Sequence, residues 1–254
     1  MAKVRYEEML PHEIVAARTR CPIAYLPIGT IEWHGEHNPV GLDAVKIHAL
    51  AMRCAETAGG LVFPALFYGE PRDHYQMEAS HDEDGQIRGT MRLPEGSFAP
   101  GFMGEGQTEA DVRYVELLIH VLKQLRSLGF KVMIIMAGHY PLLAHANAAA
   151  ALYGLQAAGT TAWACTGYEL VRGEIPDAGD HAAAWETSLM MVLRPDLVDL
   201  SRLSPDPAVP PIGIRGRDPR THASVEYGRK GVDACVKAIT GKALALLDQV
   251  RTTD

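Results

Sequence analysis

Glutamate, histidine and aspartate side chains gather in one short segment, residues 24–43. The segment begins with an apolar run of strand length, and the glycines and prolines that follow it end the strand. Glu32 and His34 are two positions apart, so extended backbone directs both side chains to one side. The loop's glycines let the chain fold Asp43 back toward them. Carboxylates and imidazoles brought this close favour a divalent cation among them, because their repulsion and desolvation would otherwise be costly.

A further histidine occupies the same kind of position later in the chain. His139 follows residues 131–136, an apolar run that predicts a central parallel strand covered by helices on both faces. In open α/β sheets, ligands bind in the crevice formed by the loops at the carboxyl ends of the strands. We therefore expect His139 near the first loop. The alternative is a polar surface loop in which the His-x-x-His spacing of His34 and His37 arises by chance.

The elements that must position these side chains alternate between strand and helix. Apolar runs predict four strands, at 23–28, 61–67, 131–136 and 160–165. Helical periodicity and capping signals predict helices at 5–19, 44–58, 108–129, 142–158, 180–194 and, broken by its glycines, 221–250. The alternation predicts a single-domain α/β three-layer sandwich over residues 1–254, with a mostly parallel central sheet and helices on both faces.

One long irregular passage, residues 69–106, interrupts this alternation. It is rich in glycine, proline and charge, and its length is typical of a functional lid or an oligomer contact. A disordered insertion is the alternative, against which the passage and its edge offer apolar anchors: Tyr68, Tyr75, Met91, Phe98 and Phe102. Three of its polar side chains are candidates to reach the site: Glu70, Asp73 and His74.

Composition excludes several classes of partner. The 254-residue chain carries a formal charge of −7, and this balance offers no basic patch for nucleic acid or for an anionic membrane. No apolar run approaches the roughly 20 residues that span a bilayer. The four cysteines lack Cys-x-x-Cys spacing, and no signal peptide is evident, so we expect a reduced, cytoplasmic protein that acts on a small molecule.

Three motifs in chain order resemble the creatininase (creatinine amidohydrolase) family. They are the block 26–35 with Asp43 after it, the pair Gly138-His139, and Asp180-His181 followed by Trp185-Glu186-Thr187-Ser188. The resemblance spans most of the chain and implies a binuclear metal centre with four ligands: Glu32, His34, Asp43 and His139. It also places His181 and Glu186 near the reacting centre and implies a homo-oligomer, commonly a hexamer.

The chain departs from this family pattern at one ligand. Creatininases proper follow the His-Tyr pair with a metal-binding glutamate, where this chain has Pro141. Either Glu186 completes the second metal position, or the second ion is weak, or the enzyme works with one ion. Of these we predict that Glu186 completes it. Ala182 and Ala183 also stand where glycines are common, and these departures argue against creatinine itself as the substrate.

The residue types predict a hydrolase. Carboxylate and imidazole ligands suit Zn(II), Mn(II) or Fe(II), with one or two ions per subunit. If there are two ions, Asp43 is the expected bridge between them. A metal-bound hydroxide is expected to attack the carbonyl of a small cyclic amide or amide-like substrate. His181 is the predicted proton donor to the leaving group, since imidazoles titrate near neutrality. The candidates for substrate contact are Tyr140, Trp185 and His37.

Other interpretations remain open. The same attack would hydrolyse a carbon–carbon bond in a cyclic diketone or keto-polyol, and a metal-stabilised binding protein would keep the motifs without turnover. Among single residues, His181 could cap a helix, and Glu186 could lie on a solvated helix face. Tyr140 could be a buried tyrosine satisfied by backbone, and His37 could support the loop from behind the ligands or lie at the surface.

Overall fold

The computed structural model describes residues 3–69, 81–104 and 106–253. The predicted contributions of Glu70, Asp73, His74 and Tyr75 fall outside these residues.

A four-stranded parallel sheet lies at the centre of the described chain. Its strands are β1 (Ile23–Ile28), β2 (Leu61–Val62), β3 (Val132–Ala137) and β4 (Thr161–Cys165), in the order β2-β1-β3-β4. The register of β1 and β3 runs from Ile23 opposite Val132 to Ile28 opposite Ala137. The carboxyl ends of these two strands are therefore side by side, and the loops that follow them leave the sheet at one edge.

Helices cover both faces of the sheet, which confirms the predicted α/β sandwich. The helices are α1 (Pro11–Arg20), α2 (Leu42–Ala58), α3 (Gln86–Met91), α4 (Gln107–Ser127), α5 (Leu142–Gly154), α6 (Ala184–Leu193), α7 (Pro219–His222) and α8 (Val225–Thr253). Core side chains of α2, α6 and α8 pack on one face, and those of α1, α4 and α5 pack on the other. The side chains of successive β3 residues point alternately into the apolar cores on the two faces of the sheet, as the period of 2 in a strand requires. All of β3 is buried.

The predicted strands at 23–28, 131–136 and 160–165 are confirmed to within one residue, whereas the second strand is much shorter than predicted. It ends at Val62, and Pro64 follows two residues later, where a proline removes a donor from the strand ladder. Beyond Val62, the N–H of Phe63 donates to the carbonyl oxygen of Tyr25, and an isolated bridge joins Leu66 to Ile28.

The C-terminal helix is continuous, so the prediction that its glycines break it is wrong. A Cβ atom added at Gly228 would lie 1.9 Å from the carbonyl oxygen of Ser188, and one added at Gly231 would lie 2.8 Å from the ring of Trp185. These glycines therefore let α8 approach α6 closely, and they hold in place the helix that carries Glu186.

The described part of the long irregular passage is a series of turns around the short helix α3. Ile87 is fully buried and anchors it. Tyr68 and Phe102 are 83% and 54% exposed, so these two residues do not anchor the passage as predicted. Its role as a lid or an oligomer contact stays a prediction.

Two further expectations from the sequence are reduced cysteines and the lack of a membrane-spanning segment. All four cysteines are buried and none forms a disulfide. Among the helices of the described residues, none has the length and apolar character needed to cross a bilayer.

Candidate metal centre

The edge formed by the ends of β1 and β3 collects the acidic and imidazole side chains. Glu32 and His34 lie on the loop after β1, His139 lies on the loop after β3, and Asp43 is in the first turn of α2. A Cβ atom at Gly138 would lie 2.0 Å from the carbonyl oxygen of Asp43. Only glycine permits this approach, which brings His139 against the start of α2.

One group of candidate ligands consists of Glu32, Asp43 and His139, all of them buried. The Nδ1 atom of His139 lies 3.1 Å from Oε2 of Glu32 and 3.2 Å from Oδ2 of Asp43. Their ligand atoms lie within 4.8 Å of one another. Three side chains from two distant segments of the chain thus converge on one point, as the sequence predicts.

A second group consists of His34, Asp43 and Glu186. The Nε2 atom of His34 lies 3.3 Å from Oδ1 of Asp43 and 3.7 Å from Oε2 of Glu186. Glu186 is buried, so the alternative in which it lies on a solvated helix face is wrong. Asp43 presents one oxygen to each group, which is the arrangement that a bridging carboxylate needs.

The hydrogen bonding of these side chains fits a cation. His34 donates from Nδ1 to the carbonyl of Glu32 across 3.1 Å, which leaves the lone pair of Nε2 facing carboxylates. That Nε2, both carboxylate oxygens of Glu32 and Oδ2 of Asp43 are buried and make no hydrogen bond of ordinary geometry. Buried polar atoms are rarely left in this state, so a donor set of this kind suits a divalent ion.

The charges of the two groups perturb one another strongly. Burial lowers the pKa of His34, but the carboxylates of Asp43 and Glu186 outweigh burial and raise this pKa to about 9. Burial likewise opposes ionisation of Asp43, but His34 and His139 hold its pKa well below the ordinary value. A proton on His34 therefore competes with any metal ion for the same lone pair.

Lys46 also belongs to the site, although the sequence does not predict it. It is 7% exposed and lies one helical turn after Asp43. Its Nζ atom contacts Oε1 of Glu186, and it lies 3.2 Å from the carbonyl oxygen of Gly138 and 3.7 Å from Oδ1 of Asp43. Burial lowers the pKa of Lys46, but Glu186 and Asp43 outweigh burial and raise it. A lysine within the apolar periodicity of α2, three residues after a predicted ligand, is the signal that could have found it.

His81 was also missed. Its Nε2 atom lies 3.5 Å from Oε1 of Glu32, and its ring stacks on that of His181 with centroids 4.1 Å apart. His81 belongs to the irregular passage, where no periodicity indicates which side chains point inward. The sequence carries no signal for it.

His181 forms a third group of candidate ligands with Glu32 and His34, and it lies outside the helix that follows it. Its Nδ1 is 4.0 Å from Oε2 of Glu32, and its Nε2 donates to the carbonyl of Trp33 across 2.9 Å. Asp180, not His181, caps α6 by accepting from the backbone N–H groups of Trp185 and Glu186. Burial and the neighbouring His34 lower the pKa of His181 to about 4, below the near-neutral titration expected from the sequence.

A cavity of about 580 Å³ lies over the two groups. Tyr140 and Trp185 line it, as predicted for residues that contact substrate. Tyr140 is 61% exposed, which excludes the alternative of a buried tyrosine satisfied by backbone. Other polar or aromatic side chains along the cavity wall are Thr166, Tyr168, Arg172 and Arg215.

His37 is not brought to this cavity. It is 2% exposed, and its Nε2 lies 2.9 Å from Oγ1 of Thr187 and 3.0 Å from the side-chain nitrogen of Asn38. Burial and the nearby His34 lower its pKa to about 4. His37 therefore supports the ligand loop against α6, and this position does not favour the predicted substrate contact.

Comparison with known proteins agrees with the geometry. The family model for creatininase, creatinine amidohydrolase, matches residues 7–245. The creatinine amidohydrolase of Pseudomonas putida is 27% identical over 246 residues, which cover 85% of this chain and 86% of that protein. A manganese creatininase structure superposes with a TM-score of 0.70 at 23% identity, covering 94% of this chain and 97% of the other. A mutant creatininase of the Zn-Zn type gives 0.69 at 24% identity, covering 95% and 97%. The chain belongs to the creatininase family of metal-dependent amidohydrolases.

Proposed function

We propose that this protein hydrolyses a small cyclic amide or amide-like substrate with the help of a divalent metal ion. The observation that carries the proposal is the buried convergence of Glu32, Asp43 and His139 beneath a cavity of about 580 Å³. Zinc and manganese occur in the related creatininase structures, and we propose either of them here. A cavity of this size suits a small molecule.

The principal ion is assigned to Glu32, Asp43 and His139. A divalent ion bound there would acidify a coordinated water and polarise a substrate carbonyl. Glu32 and Asp43 supply negative charge, and burial keeps bulk water away from both carboxylates. Glu186 stands with His34 and Asp43 at a second position, and the prediction that it ligates an ion there stays a prediction.

His181 is the residue that we assign to proton transfer. Because Nε2 donates to the carbonyl of Trp33, the proton of the neutral ring is on Nε2, and Nδ1 has its lone pair toward Glu32. Nδ1 can accept a proton from the attacking water and pass it to the leaving nitrogen. A ring with a pKa lowered to about 4 begins this cycle in the neutral form that accepting a proton requires.

Glu186 positions the segment that carries His181. Its Oε2 accepts from the backbone N–H of Ala182 across 2.8 Å. Ala182 adopts a φ of 55°, a left-handed conformation that few alanines adopt. The carboxylate of Glu186 thus holds a strained turn next to the reacting centre.

We also propose a cytoplasmic, single-domain homo-oligomer, such as a hexamer. The exposed Tyr68 and Phe102 support a subunit contact, since large apolar side chains at an edge of the long passage are candidates for burial between subunits. Light scattering at micromolar concentration tests this assembly, and a monomer would contradict it.

Chelation with metal add-back tests the function. Chelated protein should lose hydrolysis of lactams and cyclic imides, and zinc or manganese should restore it. Full activity in metal-free protein, or no bound metal in the purified protein, would refute the proposal. A parallel assay with cyclic diketones separates the alternative reaction, because carbon–carbon hydrolysis predicts turnover of the ketones and none of the lactams.

A further inference from the structure

Three groups of candidate ligands occur among the described residues, and one of them, Glu32, His34 and His181, shares Glu32 with the first group described above. The first and second groups differ in how their glutamates are satisfied. Both carboxylate oxygens of Glu32 are buried without a hydrogen bond of ordinary geometry. Both oxygens of Glu186 are already engaged: Oε1 contacts the ammonium of Lys46, and Oε2 accepts from the backbone N–H of Ala182. The glutamate of the first group therefore lacks a cation, whereas the glutamate of the second group already contacts the ammonium of Lys46.

Lys46 has the contacts of a resident cation. An ammonium has three donors, and three oxygens surround that of Lys46: Oε1 of Glu186, the carbonyl of Gly138 and, at 3.7 Å, Oδ1 of Asp43. The stem of Lys46 leaves α2 one turn after Asp43, so the same helix delivers a ligand and a positive charge to one position. The side chain is almost fully buried, and the carboxylates of Glu186 and Asp43, with that of Asp180 nearby, compensate its charge.

Residue 141 also affects whether the second position can bind a metal ion. Pro141 lines the cavity beside His139 and Tyr140, and its side chain has no atom that can ligate a metal. A second ion at His34, Asp43 and Glu186 would have to displace the ammonium from Glu186 or remain next to it. Like charges repel strongly in a buried site, so the second ion and the lysine compete for one place.

We propose that the ammonium of Lys46 takes the place of a second metal ion, so that each subunit binds one divalent ion, at Glu32, Asp43 and His139. This inference rests on the proposed metal centre. The positive charge at the second position then belongs to a lysine side chain, so chelators cannot remove it. Glu186 is then a partner of Lys46 and a positioning residue for Ala182, in place of the second-metal ligand that the sequence predicts.

Metal stoichiometry tests the inference without reference to activity. The wild-type protein, saturated with zinc and freed of excess metal by dialysis, should contain one equivalent by elemental analysis. Lys46→Met removes the charge while keeping an unbranched side chain of similar length, and it should bind two equivalents. The second equivalent should disappear in Lys46→Met with Glu186→Gln. Lys123→Met, at an exposed position of α4, is the matched control and should keep one equivalent.

A second measurement needs no variant and covers the case in which Lys46→Met fails to fold. Wild-type protein loaded with manganese should give the electron paramagnetic resonance spectrum of isolated Mn(II) ions. A spin-coupled pair, two equivalents in the wild type, or one equivalent in folded Lys46→Met would overturn the inference. Two equivalents would instead support Glu186 as a ligand of a second ion. No bound metal in the wild type would refute the proposed function itself.

Discussion

The imidazole of His181 is tied to the backbone of the ligand loop by a hydrogen bond of 2.9 Å from its Nε2 to the carbonyl oxygen of Trp33. A carbonyl can only accept, so this contact fixes which nitrogen carries the proton. The other nitrogen, Nδ1, is left to accept a proton 4.0 Å from Oε2 of Glu32. One backbone contact therefore sets the tautomer and the direction of the ring.

Replacing His181 should separate proton transfer from metal binding. His181→Ala removes the proposed proton acceptor, and a group of this kind contributes on the order of a hundred- to ten-thousandfold in rate. We expect kcat to fall within that range while elemental analysis finds the same metal content. His120→Ala, at an exposed position of α4, is the control and should leave both unchanged. An unaltered kcat in His181→Ala would show that this ring moves no proton.

The pH dependence of stability should reveal the charge on His34 in chelated protein. The pKa of His34 in the folded state is raised to about 9 from an ordinary 6.5, so its contribution is fully present below pH 6.5 and is lost as pH rises toward 9. A shift of this size corresponds to about 3 kcal/mol of unfolding free energy. His34→Gln should abolish the loss between pH 6.5 and 9.

Urea unfolding of the two chelated proteins across that range measures the effect. The difference between them reports the charge of His34 together with its effect on the pKa of neighbouring groups such as Asp43. His120→Gln, again at an exposed position of α4, should behave as the wild type. Parallel curves for the wild type and His34→Gln would show that this imidazole is not held protonated by its neighbours.

The two glutamates of the site should respond differently to the same substitution. Glu32→Gln removes a carboxylate whose oxygens make no other hydrogen bond of ordinary geometry, so we expect the bound ion to be lost. Glu186→Gln removes a partner of Lys46, so we expect the ion to be kept and kcat to fall, as the Ala182 turn loosens. Elemental analysis and kcat of both variants provide the measurement. Loss of an equivalent from Glu186→Gln would favour two ions over one.

The sequence predicts the strands at 23–28, 131–136 and 160–165 well, because buried parallel strands are unbroken apolar runs. It also predicts that Glu32, Asp43 and His139 converge, since the carboxyl ends of adjacent parallel strands share one edge. Lys46 is different, because a lysine in a helix is ordinarily solvated, and its partner Glu186 lies 140 residues further along the chain. No local sequence pattern indicates a contact between residues that are so far apart in the chain.

His81 and the glycines of the last helix escape prediction for related reasons. His81 reaches Glu32 from a passage without periodicity, so its direction depends on packing alone. Gly228 and Gly231 are unfavourable in a helix when the helix is considered by itself. Glycine is required at both positions because α6 packs too closely against α8 to leave room for a Cβ atom.

Alanine substitutions within α8 should therefore have opposite effects on stability. At Gly228 an added Cβ would lie 1.9 Å from the carbonyl oxygen of Ser188, and overpacking of this kind typically destabilises by about 1–3 kcal/mol. At Gly241, in the same helix, no atom outside the helix's own backbone lies within 4 Å of the added Cβ, so Gly241→Ala should stabilise by about 0.5–1 kcal/mol through the lower entropy of the unfolded chain. Urea unfolding of both variants gives the two free energies. Because α6 carries Glu186, Gly228→Ala should also reduce kcat, whereas Gly241→Ala should not. Equal stabilisation by both substitutions would mean that α6 and α8 are farther apart than the structure shows.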